Sequence, residues 1–231
     1  VKLHNVVQGT TEWSELRAGI PTASQFHRIL TKSGKKSEQR EAYMMDLLAE
    51  RLLGRPLDPY ISLPMQHGSL TEAEAVAWYH LIRDVQTERV GFVTNDAETW
   101  GASPDRFVGD IGLLEIKCPD PGTHMGYLMK AGSAYDKYRV QCSGQLWICE
   151  RHWSDVMSYY PDMPEALTRI ERDEKYITIL AEAVQEFSAE LELKWAWCCD
   201  QNWVVKPSRK PISQQDELIK AMKESLIELK R

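Results

Sequence analysis

Two hydrophobic rhythms alternate along the chain, one with the 3.6-residue period of a helix and one with the two-residue period of a strand. Trp13 and Leu16, three apart behind the polar run 8–11, predict a short helix ending near Gly19. Phe26, Ile29 and Leu30 form the apolar face of the next, whose start carries Thr22 and Gln25 at the spacing of a capping box. A longer helix runs from a Ser37 cap to Leu53, with Tyr43, Leu47, Leu48 and Leu52 inward and Gly54 as the stop. Residues 67–72 open another, continued to about Arg83 by a stripe of Leu70, Ala73, Val76, Ala77 and Leu81. Helices are also predicted over 123–131, over 135–150, and from the 171–176 segment to about Trp197, the last with Ile177, Leu180, Val184, Phe187 and Leu191 buried.

Between the helices lie short alternating runs. Residues 90–93 and 98–102 flank a turn at Asn95 and Asp96, a hairpin bends at 109–112, and residues 154–160 and 167–170 flank a proline-bearing turn. The expected fold is mixed α/β, a central sheet flanked by helices and read locally as a meander of short strands. Residues 1–206 are expected to form one domain. Residues 207–231 are a basic linker followed by an amphipathic helix, its stripe built of Leu218, Ile219, Met222, Leu226 and Ile227. That stripe has to pack on its own domain, a neighbouring subunit or a partner protein.

The chemistry concentrates in residues 103–119. If Leu113 to Cys118 is a strand, Glu115 and Lys117 share one face while Leu114, Ile116 and Cys118 take the other. Asp105, on the neighbouring strand, reaches the Glu115 face. Two carboxylates and an ammonium at one sheet end suit a hard divalent cation, which takes one or two carboxylates plus water and substrate phosphate. Lys117 would then orient or deprotonate a water, or neutralise charge developing on a phosphate. The same three residues also suit a hairpin with an ordinary ion pair on its wet face.

Composition narrows the classes. With 231 residues, 43% hydrophobic and 27% charged, the chain can bury a substantial core. No apolar run is long enough to cross a bilayer and residues 1–7 lack a signal-peptide core, so a soluble cytoplasmic protein is expected. The net charge of −6 points away from a nucleic-acid binder unless the basic groups are segregated. The five cysteines are odd in number and make no C-x-x-C pair, so neither a zinc ribbon nor a disulfide framework is indicated.

Further segments carry a resemblance. Trp13 to Ser24, Gly68 with Glu72, Ser103 to Asp105, Leu114 to Pro119, Tyr138 with Gln141, and Ile170 to Tyr176 stand in the order found in the phage lambda exonuclease type of viral recombination nuclease, YqaJ-type, within the PD-(D/E)xK superfamily. The resemblance implies a restriction-endonuclease-like core. It implies that Asp105, Glu115 and the Ile116 carbonyl hold Mg²⁺, with Mn²⁺ able to substitute, that Glu72 lies near the metal, and that Lys117, Gln141 and Tyr138 serve the nucleophilic water or scissile phosphate. Arg17 and Ser24, with Thr22 beside them, would bind the 5′ phosphate of the strand being degraded. For Glu72 there is also a simpler reason, since an acid at a helix start is favoured by the dipole.

The activity so implied is 5′-to-3′ digestion of one strand of linear double-stranded DNA, leaving 3′ overhangs in a bacterial host. The implied assembly is a ring-shaped homotrimer threaded by DNA, and the implied partner a phage single-strand annealing protein. An endonuclease on the same core, or an inactive DNA-binding or assembly module, are the alternatives; the intact Asp105, Glu115 and Lys117 argue against the second.

Overall fold

The computed structural model describes residues 1–57, 63–201 and 203, and for 63–70 the backbone alone. In chain order the elements are β1 (Lys2–His4), α1 (Thr11–Arg17), a 3-10 helix (Ala23–Arg28), α2 (Arg40–Leu53), α3 (Leu63–Arg83), β2 (Thr87–Arg89), β3 (Phe92–Thr94), β4 (Gly101–Ala102), β5 (Arg106–Val108), β6 (Gly112–Lys117), α4 (Pro121–Met129), α5 (Ser133–Ile148), β7 (Trp153–Ser158), β8 (Ala166–Glu171) and α6 (Glu174–Asp200). A three-stranded sheet has the order β1-β3-β4, and a five-stranded mixed sheet the order β2-β5-β6-β7-β8. The α/β fold class read from the sequence is the observed one.

Strand β6 organises the larger sheet. Its alternation sends Leu113 into a core shared with the 3-10 helix, α2, α5 and α6. Leu114 and Ile116 go into a second core with Ala75, Val76 and Tyr79 of α3. One neighbour, β5, is antiparallel; the other, β7, is parallel, because α4 and α5 carry the chain back before β7 begins. The expected meander therefore holds for the β5–β6 hairpin, the β7–β8 pair and, in the smaller sheet, the β3–β4 hairpin, but not across β6 and β7. Gly144 lets Phe26 lie directly on α5, where a Cβ would meet the Phe26 ring at 2.7 Å. That contact docks the N-terminal third of the chain against the sheet.

Four local expectations are corrected. The segment after Thr22 is a short 3-10 helix, and Thr22 makes no capping bond; its hydroxyl turns to Ser24 Oγ at 3.3 Å. Helix α2 begins at Arg40 after Gln39, and Leu52 is exposed while Tyr43, Leu47 and Leu48 are buried. Helix α3 starts at Leu63, so Glu72 lies inside it rather than at its first turn. Its buried face is Thr71, Ala75, Val76 and Tyr79, with Ala73, Ala77 and Leu81 outward. The helix is apolar on both sides, and a buried acid chose the face: the Tyr79 hydroxyl donates to Asp155 at 2.7 Å. The predicted helix at 212–231, with its linker, lies outside the described residues.

Candidate active site

Asp105 stands one residue before β5, immediately past the last pair of the ladder, Arg106 with Leu114. Its Oδ2 accepts a 2.6 Å hydrogen bond from the Ile116 N–H. The Lys117 carbonyl accepts from Tyr159 on the β7 side, so strand alternation turns the Ile116 N–H and C=O the other way, to the edge where Asp105 sits. Early termination of β5 thus leaves an acid side chain and a backbone carbonyl at one open edge.

Glu115 is 2% exposed and accepts from three donors, two on Oε1 and one on Oε2. Lys117 Nζ and Gln141 Nε2 reach its Oε1 at 2.5 and 2.6 Å, and Gln145 Nε2 reaches its Oε2 at 2.6 Å. Both amides come from α5, one helical turn apart. Tyr138 sits one turn before Gln141, its ring centroid 4.5 Å from Lys117 Nζ. The helix face expected to carry Tyr138 and Gln141 to the site therefore does so. The residue outside the expected set is Gln145; its place on that face was the available signal, but a polar side chain at that spacing is ordinarily solvated.

Burial, then the charge of Glu115, pushes the Asp105 carboxyl well above its usual range, against the pull of Lys117 and the Ile116 N–H. Burial works against the Lys117 ammonium, but the charges of Glu115 and Asp105 and its bond to Glu115 outweigh it and raise its pKa. Lys117 is held as a cation.

Glu72 approaches from α3. Its Oε1 lies 3.4 Å from Arg106 Nη2, and Arg106 also donates to the Asp105 carbonyl at 3.0 Å. Glu72 adds to the negative field at Asp105, which places it beside the centre while engaged with a cation of its own. With α3 starting nine residues earlier, the helix-start explanation for this acid no longer applies.

Arg17, Thr22 and Ser24 meet one another in the N-terminal segment. Arg17 Nη2 donates to Ser24 Oγ at 3.3 Å, and its guanidinium lies 3.9 Å above the Trp13 ring. Burial lowers the Arg17 pKa to about 10, partly offset by Tyr43 and Glu50. Arg17 and Thr22, with Trp13, border a cavity of about 570 Å³ that Ser24 does not itself line. Two bonds tie the assembly to the strand entrance: Trp13 Nε1 to Ser103 Oγ at 3.0 Å and Gln8 Nε2 to the Pro104 carbonyl at 2.9 Å. Because the helix after Thr22 is a short 3-10 turn, the capacity to hold an anion rests on the guanidinium and the two hydroxyls rather than on a helix dipole.

Among the described residues, no three His, Cys, Asp or Glu side chains group as metal ligands. The donor set nevertheless fits a hard divalent ion, which takes few carboxylates and completes its shell with carbonyl oxygen and water. Burial first, and the charge of Glu115 second, hold the Asp105 pKa up, and a cation between the two acids would offset both.

Residues 12–152 match the family of YqaJ-like viral recombinase domains. Among solved structures, the fold is similar to an alkaline exonuclease (LHK-Exo) from Laribacter hongkongensis, with a TM-score of 0.75 and 34% identity over 84% of this chain and 98% of that one. The same exonuclease in complex with dAMP aligns equally well, at 33% identity. A phage-related exonuclease from Haemophilus somnus 129PT shares the fold at a TM-score of 0.60, with 16% identity over 76% of this chain and 96% of that one. Comparison with the curated proteins gives no match.

Proposed function

The chain belongs to the YqaJ-like viral recombinase family and is a deoxyribonuclease, and on that premise we propose that it digests linear double-stranded DNA from 5′-phosphorylated ends, one strand at a time, leaving 3′ single-stranded overhangs for recombination by strand annealing. The observation that carries this reading is the meeting of Asp105, the Ile116 edge and a Glu115 held by Lys117 and Gln141. Asp105, Glu115 and the Ile116 carbonyl would hold Mg²⁺, or Mn²⁺ in its place, with Glu72 near enough to serve a second ion. Such a cation polarises the scissile phosphodiester and makes a bound water acidic.

The chain's own residues do the remainder. Lys117, kept as an ammonium, donates to the attacking water or to the phosphate oxygen on which charge builds. Gln141 fixes Glu115, and Tyr138 shields the ammonium from bulk solvent. Attack on phosphorus expels the 3′ oxygen of the terminal nucleotide, which leaves as a 5′-mononucleotide. The shortened strand again ends in a 5′ phosphate, so Arg17, Ser24 and Thr22 can grip each new end as they gripped the last. A relative's structure with dAMP is consistent with a product of this class.

Residues 1–206 would form the nuclease domain. The 207–231 extension would bridge subunits of a DNA-encircling homotrimer, working in the bacterial cytoplasm with a single-strand annealing protein. No helix among the described residues is long and apolar enough to cross a membrane.

The test is digestion of linear and covalently closed circular duplex of one sequence, with and without a 5′ phosphate. Loss of mononucleotides from phosphorylated linear DNA alone supports the reading. Nicking of the circle favours an endonuclease, since a closed circle has no terminal phosphate, and no cleavage of any substrate favours a binding module.

A further inference from the structure

Gln145 is 1% exposed, and only half of its amide is satisfied. Its Nε2 donates to Glu115 Oε2 at 2.6 Å, while its buried Oε1 has no hydrogen-bond partner among the described residues. Turning the amide over would not help, because it would press a carbonyl oxygen against the carboxylate. The charge of Glu115 therefore fixes which way the amide points, and the fold tolerates an orphaned buried carbonyl, a feature that ordinarily disfavours the folded state. A leucine or methionine would fill the position without that orphan, as Leu146 and Ile148 do in the same stretch of α5, but would leave Glu115 Oε2 without its donor.

A buried amide that leaves one end unsatisfied in order to reach a carboxylate beside a reacting centre calls for a functional account. Lys117 and Gln141 both bind Oε1 of Glu115, so Gln145 holds the second oxygen alone among the hydrogen bonds of the described residues. With Oε1 pinned from two sides and Oε2 from one, the carboxylate cannot rotate about its last bond. We propose that Gln145 is a positioning residue that locks the Glu115 carboxylate plane for divalent-cation binding. This rests on the metal-dependent reading above and deepens it.

The experiment compares the full-length wild-type chain with Gln145→Met and Gln145→Leu. Each is titrated with Mn²⁺ by calorimetry after removal of metal, and each is melted without metal. Losing an outer partner of a ligand is expected to weaken Mn²⁺ binding about 10- to 100-fold. The metal-free melting temperature is expected to change little, because the orphaned carbonyl is gone while Glu115 Oε2 loses its donor. Weaker binding with an unchanged or higher melting temperature establishes the positioning role. Unchanged Mn²⁺ affinity in a folded variant overturns it, as does a lower melting temperature with unchanged affinity, which would make Gln145 a structural residue. Wild-type protein that takes up no Mn²⁺ overturns the metal-dependent reading itself, and the inference with it.

Discussion

The Asp105 carboxylate is bonded to the backbone of Ile116, 2.6 Å from its N–H, so the acid is placed by the same strand that carries Glu115 and Lys117. Side chain and strand move as a unit, and the spacing of the two acids is fixed by sheet geometry rather than by a loop.

Asp105→Asn keeps the shape and removes one charge. Loss of a cation ligand should lower cleavage by about 10³-fold, several kcal/mol of charge stabilisation. The metal-free protein should be no less stable. Asp105 keeps its proton to a higher pH folded than unfolded, so this group costs stability as pH rises past its unfolded value of about 3.9. Asparagine lacks that cost, and melting curves at pH 5 and 8 without metal should show the variant gaining on wild type at the higher pH.

Lys117→Met leaves the carboxylates and the helix face in place. Single-turnover cleavage should fall about 10²- to 10⁴-fold, while DNA affinity measured in Ca²⁺ stays within a few-fold. Turnover near the wild-type rate would remove Lys117 from the chemistry.

Arg17→Ala should abolish discrimination between phosphorylated and dephosphorylated ends. Wild type is expected to degrade the phosphorylated end faster, and the variant to treat both alike at the slower rate. The side chain is half-buried and its guanidinium stacks on Trp13, so the variant's melting temperature should be recorded beside its rates.

Away from the site, Asp155 is fully buried and held by Arg169 through two bonds of 2.8 and 2.9 Å and by the Tyr79 hydroxyl. Arg169→Met should destabilise the protein by about 2 kcal/mol, below the 3–5 kcal/mol of a fully buried broken pair because Arg169 is itself part-exposed. Urea denaturation measures this directly.

The elements that carry the chemistry were legible because their signals are local. Strand alternation put Glu115 and Lys117 on one face, and helical spacing put Tyr138 and Gln141 on another. What the sequence hid was set by distant partners. The face of α3 was chosen by Asp155, 76 residues beyond Tyr79, and the parallel pairing of β6 with β7 depends on a crossover that short strands do not announce. Gln145 was readable as a neighbour of Gln141 but not as buried, since burial of an amide makes sense only once Glu115 is known to be waiting for it. Thr22 resembled a helix cap until the geometry turned its hydroxyl to Ser24.

The central claim is that Asp105 and Glu115 share a divalent cation. Crystals of the wild-type protein soaked in Mn²⁺ and measured at the manganese absorption edge test it most directly. An anomalous peak within about 2.0–2.5 Å of both carboxylates and the Ile116 carbonyl is the expected result. A map with no peak there, or with manganese bound only elsewhere, would contradict it.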